Sequence, residues 1–195
     1  MGTRNLMCVV SNGEIKVANY CQWDGYPTGQ GNDIVKFIID HMEFEKFQRE
    51  INKLTFISNK ELKNLWAECG ANPESDFVSF DVSDKFKVQY PHLHRDCGAE
   101  ILHLIQEGFV ESTIDSISFA ADSLFCEWAY VIDLDNKVLE VYRGFNKEPL
   151  IGKERFKFLK KEEDDYYPVK LLTKFKFEEL TYQTMKNLEE KLYME

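Results

Sequence analysis

Leu6-Met7-Cys8-Val9-Val10-Ser11-Asn12-Gly13-Glu14-Ile15-Lys16-Val17-Ala18-Asn19-Tyr20 decides the fold class of this chain of 195 residues. Two apolar runs flank Ser11-Asn12-Gly13, and Asn-Gly supplies the left-handed backbone positions that a tight hairpin turn needs. The second run alternates, with Ile15, Val17 and Cys21 on one side and Lys16 and Gln22 on the other. That pattern predicts one packed face and one partly wet face. A second hairpin reads the same way: residues 125–134 and 138–142 enclose Asp135-Asn136. Hairpins separated by helical patterns, rather than strictly alternating with them, predict an α+β fold with a mainly antiparallel sheet.

Three to four helices are expected to pack on that sheet. Residues 32–54 carry Ile34, Val35, Ile38, Met42, Phe47, Ile51 and Leu54 at threes and fours, the period of one helix. A short helix is expected over 61–69 with Asn59 as its cap, another over 96–106 capped by Asp96, and a last one over 177–192. Residues 75–90 alternate only in patches and read as strand or irregular chain, and 168–172 reads as an edge strand. Residues 145–167 are charged and include Lys160-Lys161-Glu162-Glu163-Asp164-Asp165, the pattern of a solvated surface loop. A single globular domain over residues 1–195 accommodates all of this.

Composition narrows the function. Hydrophobic residues at 44% and charged residues at 30% fit an ordinary globular protein, with fifteen phenylalanines and nine tyrosines making it unusually aromatic. A net charge of −10 disfavours nucleic acid held by bulk electrostatics. The five cysteines are widely spaced and form no CxxC pair, so they read as reduced, mostly buried thiols of a cytoplasmic protein. No apolar run reaches membrane-spanning length, and no membrane partner is expected.

The segment after the first hairpin, Cys21-Gln22-Trp23-Asp24-Gly25-Tyr26-Pro27-Thr28-Gly29-Gln30-Gly31, places glycines between a strand and a helix start. Such a segment can present backbone N–H groups to phosphate, or can simply turn a corner. It lacks the Lys-Ser/Thr of a Walker loop and the spacing of a dinucleotide fingerprint. His92, His94, Cys97 and His103 invite a metal reading, but their spacing matches no zinc module, so no metal and no cofactor is assigned. Capping by Asp96, with partly exposed histidines, is the simpler reading there. Glu127 lies in an otherwise apolar run, either on the wet face of a strand or held by Arg4 or Arg95.

Thr3-Arg4-Asn5-Leu6, Gln22-Trp23-Asp24-Gly25-Tyr26-Pro27-x-Gly29-x-Gly31 and Arg95-Asp96-x-Gly98-Ala99-x-Ile101-Leu102 together resemble blocks of an uncharacterised family of small proteins. Its members come from bacteriophages, bacteria and some fungi, and the late hairpin, residues 127–142, is similar as well. Members usually carry Ser or Thr where His94 and Cys97 stand, and Gly where Cys21 stands. The resemblance implies a phage or mobile-element setting, and it nominates Arg4, Asp24, Tyr26, Arg95 and Asp96 as residues that meet in space.

The expected site therefore comprises Arg4, Trp23, Asp24, Tyr26, Arg95, Asp96 and Glu127 around the Trp-Asp-Gly-Tyr-Pro loop. Two arginines and two aspartates beside two aromatic rings suit a small polar, nucleotide-derived ligand, whose sequestration would counter host defence signalling. The alternatives are a hydrolase acting on a similar ligand, with Asp24, Glu127 or a histidine as base, and an inhibitor that binds a host protein.

Overall fold

In the computed structural model, which describes residues 2–75, 77–160 and 165–194, both hairpins form. Strands β1 (Asn5–Ser11) and β2 (Glu14–Cys21) pair antiparallel around Asn12-Gly13, both of which have positive φ. After helices α1 (Asn32–Lys36) and α2 (Phe44–Ile51) come strand β3 (Thr55–Phe56), helices α3 (Asn59–Glu68), α4 (Phe80–Gln89) and α5 (Glu100–Gln106), and strand β4 (Ser112–Thr113). The second hairpin is β5 (Trp128–Asp133) and β6 (Val138–Arg143); β7 (Lys170–Lys176) and helix α6 (Thr184–Met194) follow.

The main sheet runs β2-β1-β5-β6-β7. Each hairpin is antiparallel, and the two are joined by a parallel pairing of β1 with β5, Asn5 opposite Trp128 through Val10 opposite Asp133. The α+β fold with a mostly antiparallel sheet is thus present, with one parallel seam at its centre. The turns are tied together as well: the Asn12 and Gly13 N–H groups donate to the Asp135 carboxylate at 2.8 and 2.7 Å.

Both faces of the sheet are covered, which corrects the expectation of a wet face. Every residue of β1 and β5 is buried. Met7, Val9, Tyr130, Ile132 and Leu139 pack against Ile34, Phe37, Phe47, Ile101 and Met185 from the helices. On the other face, Leu6, Cys8, Val131 and Tyr142 pack against Leu150, Phe156 and Val169. The segment expected as a solvated loop therefore closes the second core; residues 161–164 of its charged run lie outside the described residues. The alternation in β2 also breaks, because an extra residue, Lys16, is accommodated between the Val9–Val17 and Val10–Ile15 pairs. That bulge sends Ile15 and Val17 to opposite faces.

The helices differ from expectation in several places. The 32–54 pattern is interrupted at Met42 and Glu43, whose backbones are extended. Buried Gln106 of α5 stitches the break, accepting from Glu43 N at 2.8 Å and donating to His41 O at 2.9 Å. Ser58, not Asn59, caps α3, in a reciprocal capping box with Glu61. Residues 80–89 form α4, where strand or irregular chain was expected. The last helix starts at Thr184, after a single 3-10 turn over Phe177–Glu179.

A third, smaller cluster gathers Cys69, Phe86 and Leu93 with Trp66, Leu62 and Ile114, binding α3 and α4 to each other beside the edge strand β2. All five cysteines are free, and four are buried. Among the described residues, no helix is long and apolar enough to cross a membrane.

Candidate functional site

The glycine-rich loop is built from its own backbone. Gly25 N donates to Thr3 O at 2.9 Å, Gln30 N to Asp24 O at 2.8 Å, and Gly29 N and Gly31 N both donate to Tyr26 O. A Cβ on Gly25 would lie 2.9 Å from Thr3 O and 2.9 Å from Asn5 Cβ, so only glycine lets the loop dock this closely on the start of β1. The buried Tyr130 hydroxyl donates to Gly25 O at 2.8 Å. Thr28 N already holds the Glu189 carboxylate at 2.9 Å. These amides are spent on the fold and on the protein's own acid.

The seven expected site residues separate into two groups. Trp23, Asp96 and Arg95 come together. The Trp23 indole N–H donates to Asp96 Oδ1 at 2.9 Å, Lys87 Nζ lies 3.1 Å from Asp96 Oδ2, and Gln22 N donates to Arg95 O. Burial works to raise the Asp96 carboxyl, but the Lys87 bond, with help from His94 and Trp23, outweighs it and holds the group below the ordinary aspartate range. Asp96 is not a helix cap: α5 begins at Glu100, and the Ala99 N–H at its start donates instead to Gln30 Oε1 at 2.8 Å. Arg4 lies 4.6 Å from the Phe125 ring centroid, and its charge, like that of Arg95, acts on the Tyr20 phenol. Burial raises Tyr20 despite both arginines.

The remaining three do not join them. Asp24 is exposed, sits at φ 53°, and its carboxylate has no hydrogen bond or ion pair among the described residues. Tyr26 is exposed and caps the turn after the loop through its carbonyl. Glu127 stands just ahead of β5 rather than in it, half-buried, and no ion pair joins it to Arg4 or Arg95.

A cleft of about 420 Å³ opens beside this group, between the end of β2 and the α3–α4 unit. Tyr20, Trp66 and Phe80 supply its aromatic walls, and Asn19, Ser83, His94, Arg95 and Ser116 its polar ones. Trp66 stacks on Phe86 at 3.6 Å between centroids, which fixes that wall. Asn19 is buried; its Nδ2 reaches Gly98 O at 3.5 Å, and its Oδ1 has no partner among the described residues. His94, expected to be partly exposed, is buried, with Nε2 3.1 Å from Ser83 Oγ. Burial lowers its ring below the ordinary histidine range, against the opposing pull of Asp96. Among the described residues, no three His, Cys, Asp or Glu side chains converge on a point where a metal could sit.

Asn19, Trp66, Phe80 and Ser83 were not singled out in the sequence. Nothing in their spacing groups them, because they come from three elements that meet only in the folded chain. The chain matches no model of a known protein family, no curated protein and no solved structure.

Proposed function

We propose that this protein binds a small ligand, with a planar ring and an anionic group, in the cleft between β2 and the α3–α4 unit. The observation that carries the reading is the composition of the cleft: three aromatic walls, Arg95, and the Asn19 side chain, whose Oδ1 has no partner among the described residues. Its volume of about 420 Å³ falls within the roughly 300–1,000 Å³ typical of ligand pockets. Aromatic faces take a planar ring, arginine takes a carboxylate or phosphate, and an amide oxygen takes a ring N–H. A nucleotide-derived metabolite meets all three requirements. The family resemblance adds a phage or mobile-element setting, in which the purpose of binding is to sequester a host signalling molecule.

The competing reading is a protein partner on α4, favoured by Phe80 and Val88, which are 86% and 83% exposed. Thermal-shift measurements with nucleosides, 5′-nucleotides and cyclic nucleotides at millimolar concentration separate the two. Stabilisation by a nucleotide that weakens at least about tenfold in apparent affinity in Arg95→Ala supports the small ligand, since a charge-assisted bond contributes about 1.5–3 kcal/mol. No stabilisation by any of the panel contradicts it.

A further inference from the structure

Ser83 and His94 line one side of the cleft, with Asp96 beyond the imidazole. Ser83 Oγ lies 3.1 Å from His94 Nε2, and His94 Nδ1 lies 3.7 Å from Asp96 Oδ2. The imidazole is 5% exposed, and Ser83 and His94 both line the cavity. Ser83 is the fourth residue of α4, and helical side chains lean towards the amino terminus, so its hydroxyl overhangs the first turn. The N–H groups of Phe80, Asp81 and Val82 in that turn have no acceptor among the described residues, and Ser79 gives no side-chain cap. A nucleophile and a base therefore line one cavity, with an acid behind the base and the start of α4, through Phe80, at its wall.

We propose that Ser83, His94 and Asp96 form a nucleophile relay that hydrolyses a carboxylic ester of a small planar ligand, an inference that rests on the cleft being the ligand site. Ser83 Oγ forms a bond to the ester carbonyl carbon while its proton passes to His94 Nε2. The carbonyl oxygen takes up the electron pair at the amino-terminal end of α4, whose first N–H groups have no acceptor among the described residues. Collapse breaks the acyl C–O bond, and the proton on Nε2 goes to the leaving oxygen. Water, giving its proton to His94, then cleaves the acyl-serine, and that proton returns to Ser83 Oγ. The net reaction is ester and water to acid and alcohol.

The resting state is not yet the reactive one. Asp96 N donates to His94 Nδ1 at 3.3 Å, so a neutral ring carries its proton on Nε2 and donates it to Ser83. The reactive tautomer has the proton on Nδ1, where the Asp96 carboxylate is its acceptor once the 3.7 Å gap closes. Lys87 and the Trp23 indole hold that carboxylate from outside, which makes Asp96 a positioning residue and couples the loop to the cleft.

The test is covalent labelling of the intact protein with an alkyl fluorophosphonate. The expected reaction replaces the P–F bond by a bond from phosphorus to Ser83 Oγ, with release of fluoride and a proton. Mass spectrometry should place one adduct on Ser83, absent in Ser83→Ala. The labelling rate should rise with pH as the His94 ring, faced by Asp96, Lys87, Arg95 and Asp84, loses its proton. Asp96→Asn should lower that rate roughly 100-fold or more and change its pH profile, while the chain still melts cooperatively. No adduct on Ser83 in the wild-type chain, or an adduct whose rate His94→Gln leaves unchanged, overturns the relay. Nucleotide stabilisation without labelling overturns the relay alone. Labelling without nucleotide stabilisation supports the relay and overturns the nucleotide class of ligand.

Discussion

At the scale of single residues, the strongest constraint outside the cleft is Glu140, 1% exposed in the middle of β6. Its carboxylate accepts from Arg155 at 2.7 and 3.2 Å, from Lys174 at 2.6 Å and from the Tyr142 hydroxyl at 2.6 Å, and Arg155 also reaches Asp133 at 2.6 Å. Burial works to raise the Glu140 carboxyl, but those bonds outweigh it and hold the group below the ordinary glutamate range. Removing the charge leaves two cations facing a neutral amide. Glu140→Gln should therefore cost about 3 kcal/mol, seen as a fall of about 6–12 °C in melting temperature. The pH dependence has a definite sign. The folded chain binds fewer protons here than the unfolded chain, so this stabilisation is complete above the ordinary value of 4.5. It is lost as pH falls below 4.5 through the lowered folded value, and the melting temperature of Glu140→Gln should be less sensitive to pH in that window. None of this was legible in the sequence. An acid inside a strand reads as wet-face alternation until Arg155, fifteen residues away in a charged segment, is known to fold over it.

At the scale of elements, legibility followed locality. Asn12-Gly13 and Asp135-Asn136 announced both hairpins because turn chemistry and alternation are short-range properties. The parallel seam between β1 and β5 joins strands more than a hundred residues apart, and no local pattern encodes it. Helix α4 was missed for a different reason: only Phe86 of its ten residues is buried, so it has no apolar stripe to recognise. The break at Met42 and Glu43 shows tertiary structure overriding periodicity, since the 32–54 pattern alone would continue one helix. Gln106 supplies the partners that the broken helix loses, and Gln106→Ala would leave Glu43 N–H and His41 C=O unpaired. A cost of about 2 kcal/mol is expected, read by denaturant midpoint at unchanged slope. An unaltered midpoint would mean that water satisfies the break and that Gln106 is dispensable.

At the scale of the whole molecule, two large cores hold the sheet, and a third, small one holds α3 against α4. The cleft lies where the small unit meets the edge strand β2. Of the residues that the sequence nominates, Trp23, Arg95 and Asp96 meet beside it. Asp24 does not join them: it is exposed, its carboxylate has no hydrogen bond or ion pair among the described residues, and spacing alone does not tell a glycine-rich loop with free amides from one whose amides are bonded. Here the Gly25, Thr28, Gly29, Gln30 and Gly31 amides are bonded, and the cleft lies one segment away, lined by Asn19 and Ser83.

The most direct measurement is a two-dimensional NMR titration of the labelled protein with 5′-nucleoside monophosphates and cyclic nucleotides. At least one should shift the Trp66 indole and the Asn19 side-chain amide together, in a saturable manner, while the Trp128 indole, on the main core, stays in place. Shifts confined to the glycine-rich loop around Asp24, or no saturable shift with any of them, would contradict the assignment of the cleft as the ligand site.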